Sequence, residues 1–286
     1  MAKFFVDAFA DMFGVELKNN NLELAPSKIK YGNKILNFTG WDKVPTNQIN
    51  QDVLKEKYSI MHISQEEWEE FFTPFLESGE DIAFFTISHK LFTDGGCDLR
   101  SAFAHLQSKF PERQVKLIDT LTVSRGVSEI ASLASLVFKK EQNFESAIKF
   151  ATNLVGQFVS VFVCDDIKFM NSSVILKNAG SKLTGGLINV KPIISIDKSG
   201  NFNLLDKARG FKAGVNKLFS TVKVNGENIA DFTFTILHSN AEVEALELKQ
   251  KFLEIIDETD IRIMPSSLNN MIYAGTKFVC ITFHSK

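Results

Sequence analysis

The run Leu187-Ile188-Asn189-Val190-Lys191-Pro192-Ile193-Ile194-Ser195-Ile196 is followed by Asp197-Lys198-Ser199-Gly200 and then by Asn201-Phe202-Asn203-Leu204-Leu205. An apolar β-branched run, a turn signal and a second extended run predict a hairpin. After Lys207-Ala208-Arg209-Gly210 the spacing changes. Phe211, Val215, Leu218 and Phe219 recur at helical intervals, with Lys212 and Lys217 among them. Strand, turn, strand and helix thus form one packed unit with a cationic corner, and the segment from Leu183 to Phe219 organises the rest.

Upstream of it, strands and helices alternate. Lys3 to Val6, Ser59 to Ile63, Asp81 to Ile87 and Gln114 to Ile118 read as strands, with shorter ones at Leu22 to Pro26 and Ile35 to Phe38. Between them, helices are predicted over 48–57, from Ser64 with the stripe Trp68, Phe71, Phe72 and Phe75, over 100–110, over 126–139 and over 144–155. Ser64 and Glu67 make a capping-box pattern. Such alternation implies a largely parallel sheet covered on both faces, and ligands of such sheets bind beyond the carboxyl ends of the strands. Asp7, Ser64, Ser88-His89 and Asp119-Thr120 with Ser124 stand there.

Downstream, strands are predicted over 159–164, 228–237, 260–264 and 278–283, with a short helical piece from Asp165 to Met170 and a helix over 241–256. The expectation is an α/β protein of two closely packed domains: residues 1–157, with a largely parallel sheet covered by helices, and residues 158–286, an α/β domain with a hairpin.

Composition narrows the function. The formal net charge is -2 with both signs interspersed, which gives no broad field for nucleic acid or anionic membrane. No apolar run reaches the ~18 residues of a membrane span, and Met1 to Val6 is too short for a secretory leader. Cys97, Cys164 and Cys280 are odd in number and widely spaced, which argues against a disulfide framework or a zinc site and fits a reducing cytoplasm. The 27 Phe against 3 Tyr and 2 Trp suit a core or a lipid-lined cavity; codon bias in an AT-rich genome gives the same excess.

Catalytic signatures are missing. Gly185-Gly186 and Gly95-Gly96 lack the rest of a phosphate loop, and there is no Gly-x-Ser-x-Gly, His-Glu-x-x-His or Cys-x-x-Cys. Asp165-Asp166 and Glu66-Glu67 read as solvated caps, because sequence neighbours diverge on a helix. No catalytic residue, metal site or cofactor is expected.

Several segments together resemble the DegV-like family, two-domain bacterial fatty-acid-binding proteins that present acyl chains to a partner fatty acid kinase. Val190-Lys191-Pro192-Ile193, Gly200 and Lys207-Ala208-Arg209-Gly210 resemble the family's Ile-Lys-Pro-Ile, Gly and Lys-x-Arg-Gly run. Asp7-Ala8-Phe9-Ala10-Asp11-Met12 is similar to its opening Asp-Ser-Thr-Ala-Asp-Leu. Ile63-Ser64-Gln65, Ser88 to Thr93 leading to Ser101-Ala102, and Asp119-Thr120 with Ser124 and Gly126 resemble its hydroxyl-bearing motifs. In the family a threonine and a serine hold the acyl carboxylate; here Ile63 replaces the threonine, while Ser64 and Ser88 remain. The family's Gly-Gly-Arg-Ile segment is replaced by Asn171-Ser172-Ser173, and its histidine near the end by Tyr273.

The resemblance implies a long-chain fatty acid as ligand, with no other cofactor, and Ser64, Ser88, Ile63, Thr93, Ser124, Arg209, His238 and Tyr273 as the lipid-binding set. Burying ~14 methylenes at ~0.8 kcal/mol each is worth on the order of 10 kcal/mol before binding costs, so the channel dominates affinity and the polar groups set orientation. Each residue also has a structural reading: Ser64 as a helix cap, His89 as an exposed side chain, Arg209 in a salt bridge, His238 as a framework histidine. The resemblance implies a kinase partner. The missing arginine and histidine leave open a lipid-binding or interaction protein of the same fold without kinase coupling.

Overall fold

The computed structural model describes residues 1–12, 14–38, 54, 58–92, 94–166, 189–225, 234–255 and 261–284. The chain falls into two compact units, Met1–Lys43 with Ser59–Val155 and Val44–Tyr58 with Gly156–Lys286. Thr93, the expected helix over 48–57 apart from Leu54, and the expected helical piece after Asp166 lie outside the described residues.

Through residue 155 the elements are β1 (Ala2–Val6), α1 (Gly14–Asn19), β2 (Leu22–Leu24), β3 (Ser27–Tyr31), β4 (Lys34–Phe38), β5 (Tyr58–Met61), α2 (Gln65–Glu77), β6 (Asp81–Thr86), α3 (Cys97–Lys109), β7 (Val115–Asp119), α4 (Arg125–Glu141) and α5 (Phe144–Leu154). The main sheet has the order β2-β1-β6-β7, and every pair in it is parallel. A small second sheet joins β4, β3 and β5.

Both faces of the parallel sheet are covered, as its unbroken apolar strands require. In β6 every residue after Asp81 is buried. Successive side chains in a strand point to opposite faces, so neighbouring phenylalanines serve different layers. Phe5 and Phe84 meet the α2 and α3 layer, where Phe72 lies 5.1 Å from Phe5, 5.7 Å from Phe84 and 5.0 Å from Phe103 between ring centroids. Phe4 turns the other way, to Phe138 at 5.3 Å and Phe144 at 5.7 Å. Part of the phenylalanine content is thus accounted for as two aromatic layers.

The second unit contains β8 (Phe158–Cys164), β9 (Val190–Ile196), β10 (Phe202–Arg209), α6 (Phe211–Asn225), β11 (Phe234–Ser239), α7 (Glu242–Leu253), β12 (Ile261–Pro265), α8 (Leu268–Ala274) and β13 (Phe278–His284). Its six strands run β10-β9-β8-β13-β11-β12, antiparallel except for β11 with β12. The expected hairpin is β9 and β10. Asp197 shapes its turn by accepting from the Ser199 and Asn201 N–H groups, each at 2.9 Å. α6 then lies so close to β8 that a Cβ at Gly214 would come within 2.6 Å of Val163 Cγ2.

Phe72 is fully buried and touches rings of both the sheet and α3. Phe72→Ala should cost about 3–5 kcal/mol in urea unfolding. A loss well below that range would mean that the layer collapses into the space the ring leaves.

Candidate functional site

The strand order of the first sheet reverses between β1 and β6, since β2 lies on one side of that pair and β7 on the other. In open α/β sheets the crevice beyond the carboxyl ends at such a reversal is the usual ligand position. The chain puts Asp7 at the end of β1, Thr86 at the end of β6 and Asp119 at the end of β7.

Asp7 is buried, and its carboxylate accepts from the Phe9 N–H at 3.0 Å, the Thr86 hydroxyl at 2.9 Å and the Ile87 N–H at 3.4 Å. Burial pushes its carboxyl above the usual carboxylate range, against the lowering effect of those three donors. Thr120 fixes the next strand end by donating its hydroxyl to the Thr86 carbonyl at 2.8 Å.

Ser88 follows at once and is wholly buried. Its N–H donates to the Thr122 carbonyl at 2.9 Å, which joins the β6 end to the turn before α4. That turn is tight: a Cβ at Gly126 would stand 2.6 Å from Thr122 Cγ2 and Oγ1. Ser124 in the same turn donates its hydroxyl to Asp11 Oδ2. Asp11, Leu121 and Ser124 all adopt positive φ, at 49°, 55° and 55°, so left-handed backbone gathers at this edge.

Arg125, which sequence reading passed over, seals the arrangement. Its guanidinium is buried and donates to the Asp11 carbonyl at 3.1 Å, Glu16 at 3.1 Å and Glu129 at 2.9 Å. The Glu129 partner lies one helical turn ahead and was available to a pattern search; the other two are far off in sequence.

Ser64 does cap α2, and the capping box is complete. Its Oγ accepts from the Glu67 N–H at 3.4 Å, while Glu67 accepts from the Ser64 N–H at 3.0 Å. Ile63 packs against the α2 and α3 aromatic layer. His62 meets Asp98 at 2.7 Å, which lays the Ile63-Ser64 segment beside the start of α3. His89 keeps a partly exposed side chain, and its Nδ1 and N–H both engage Asp119, the N–H at 3.3 Å.

The remaining residues of the expected set lie in the second unit. Arg209 ends β10, is exposed and has no ion pair among the described residues. The expected cationic corner is largely tied up locally, since Lys217 holds Asp206 and Lys212 meets Glu247 at 2.8 Å. His238 stands near the end of β11, where burial lowers its pKa despite Glu242 and Glu244 nearby. Its Nδ1 has no hydrogen-bond partner among the described residues. Tyr273 is half-buried in α8. A cavity of about 690 Å³ opens beside His238, and one of about 650 Å³ lies at the amino-terminal edge of the first sheet. Neither is lined by Asp7, Ser88 or Ser124.

Fold and edge chemistry define a two-unit α/β protein in which a parallel sheet ends in a buried polar ring. The chain belongs to the DegV family, whose profile matches residues 1–286. The DegV domain-containing protein YteA of Lactococcus lactis is 19% identical over 280 residues, 96% of this chain and 94% of that protein. A solved DegV family protein of Ruminococcus gnavus with vaccenic acid superposes with a TM-score of 0.83 at 18% identity, covering 98% of this chain and 99% of that one. The fatty acid kinase (Fak) B3 protein of Streptococcus pneumoniae, loaded with linoleic acid, gives 0.79 at 18% identity with both chains fully covered. Among the described residues, no helix is long and apolar enough to cross a membrane.

The Asp7 environment sets a pH dependence. A raised carboxyl pKa means that the folded state holds the proton more tightly than the unfolded chain does. The resulting stability is complete below the ordinary value of 3.8 and falls as pH rises through the raised one. Asp7→Asn cannot titrate, so wild-type stability should fall relative to that variant as the pH of thermal denaturation rises from about 4 to about 8. A flat difference would return Asp7 to the ordinary carboxylate range.

Proposed function

We propose that the chain binds a long-chain fatty acid in a tunnel of its N-terminal domain, residues 1–157, and presents the carboxylate to a partner fatty acid kinase for acyl phosphate formation. It acts in the cytoplasm as a carrier rather than a catalyst, with the acyl chain as its ligand and no other cofactor. The observation that carries this reading is Ser88, a hydroxyl-bearing residue buried at the sheet's point of reversal in a DegV chain. The acids bound by the Ruminococcus and Streptococcus proteins are of the same ligand class.

Roles follow from the chemistry available. Ser64 uses its oxygen as a cap acceptor and keeps its proton to donate, so capping and ligand contact are compatible. Ser64 and Ser88 bind the carboxylate, and Ile63 contributes apolar wall. Ser124 acts through Asp11, to which its proton is committed. Thr93, Arg209, His238 and Tyr273 complete the set that the family resemblance implies. The second reading, a lipid-binding or interaction protein without kinase coupling, is favoured by Tyr273 standing where the family has a histidine.

Native mass spectrometry and lipid extraction of the purified protein should recover an acyl chain; an empty protein would end the lipid reading. Ser88→Ala should weaken retention while thermal melting stays cooperative, and Ser88→Leu should abolish it. Retention unchanged in both would remove Ser88 from the site. With a fatty acid kinase and ATP present, acyl phosphate should form only when this chain is added. If lipid is bound but no acyl phosphate appears, the second reading holds.

A further inference from the structure

One face of α7 is apolar and exposed. The helix buries Ala245, Leu248 and Phe252 against the sheet. On its other side Val243, Leu246 and Leu253 are 67%, 53% and 42% exposed, and Ile255 just beyond the helix is 46% exposed. Of the ten exposed large hydrophobics among the described residues, four fall between 243 and 255. Singly scattered apolar residues are ordinary on a surface, but a contiguous patch marks an interaction site. At ~100° per residue, Val243, Leu246, Gln250 and Leu253 form one stripe with the alternating three-and-four spacing of a helix-helix seam.

The margins of the stripe carry charge. Glu247 and Glu254 follow one side, with Lys251 beyond them turned to Asn216 Oδ1 at 2.5 Å, and Glu242 and Lys249 follow the other. Lys249 is turned away to the Ile261 carbonyl at 2.6 Å. Glu242 and Glu254 make no ion pair among the described residues. At the amino end of the stripe lies the cavity of about 690 Å³, whose wall includes Val243, Glu242, His238 and Lys277. Lys277 meets Glu244 and Lys212 meets Glu247, each at 2.8 Å, so Glu242 remains the uncompensated charge on that wall.

We propose that this face of α7, together with the adjoining cavity, is a docking surface for a cationic amphipathic helix of a partner protein. The partner lays its apolar edge along Val243, Leu246 and Leu253, and its Lys or Arg residues meet Glu242 and Glu254. A helix of about three turns matches the ~18 Å that α7 offers. A second copy of the chain is a poorer occupant, because an antiparallel pair sets the Glu247 and Glu254 margin against itself. An anionic membrane is repelled by the same carboxylates. The proposal does not depend on lipid binding by the first unit.

The test uses the full chain and a fluorescent Leu/Lys amphipathic peptide of about 14 residues, with a peptide in which Glu replaces Lys as control. Anisotropy at physiological salt should show binding of the Lys peptide alone. Leu246→Glu with Leu253→Glu, and separately Glu242→Lys with Glu254→Lys, should each weaken it about tenfold or more. Both pairs of positions are solvent-facing, and circular dichroism checks that the fold is kept. Equal binding of the Glu peptide, or no loss in either double variant, overturns the proposal. So does a sedimentation dimer of wild type that Leu246→Glu dissolves, which would assign the stripe to a second copy.

Discussion

Asp7 accepts three hydrogen bonds where the order of the first sheet reverses, and the carboxyl edge of that sheet depends on this junction. Two parallel strands end side by side there, and the chain leaves each in a different direction. Peptide groups released from the ladder have to be satisfied away from water. Asp7 meets that demand for the Phe9 and Ile87 N–H groups, Thr120 meets it for the Thr86 carbonyl, and the Ser88 N–H finds the Thr122 carbonyl. Burial of the Asp7 carboxyl raises its pKa although its three donors lower it, and the packing restricts the backbone as well. A Cβ at Gly126 would press on the buried Thr122 side chain, and Asp11, Leu121 and Ser124 take left-handed backbone. Strain gathered in this way needs surroundings that fix it, and buried Arg125 with its two carboxylates supplies them.

The sheet architecture was legible because it follows from periodicity. Apolar runs such as Asp81 to Ile87 and helical stripes such as Trp68, Phe72 and Phe75 mark their elements without reference to the rest of the chain. The capping box at Ser64 is equally local and was read with its partner. Elements supported by few residues were missed. β3 is Ser27-Lys28-Ile29-Lys30-Tyr31, in which Ser27 and Ile29 alone are buried, and α8 is a short helix started by Ser267. Polar partnerships across the fold were also beyond reach. The tie of His89 to Asp119, 30 positions away, has no sequence signature. Arg125 and Glu16 are 109 positions apart. Ser88 was singled out correctly as a strand-end residue, yet its tie to Thr122 depends on the order in which the strands assemble.

Arg209 and the lysines around it show why composition misleads at a corner. Four cations lie between Lys207 and Lys217, but Lys212 and Lys217 meet Glu247 and Asp206. Lys191, in the run that most resembles the family, bonds to Asp165 at 2.8 Å and so anchors β9 to the end of β8. Charge clustered in sequence is distributed in space by whichever carboxylates the topology delivers. Arg209 is an exposed cation of the group with no ion pair among the described residues.

The phenylalanine layers join fold and proposed ligand. An acyl chain with its carboxylate at Ser64 and Ser88 has to occupy volume between the sheet and the helices that cover it, and close-packed interiors offer little of that. The two layers are not equivalent in this respect. Around α2 and α3 the fully buried rings Phe5, Phe72 and Phe84 form the centre, while Phe71, Phe75, Phe92 and Phe110 pack against its margin and are partly exposed. Moving a marginal ring toward water forfeits less burial than opening the centre, and the methylenes that replace it restore apolar contact. Phenylalanine suits that exchange, because it carries no polar group that must find a new partner when the ring turns. The residue type that stabilises the first unit is therefore also one that can yield to a lipid at the edge of the layer while Phe72 keeps the sheet and helices together.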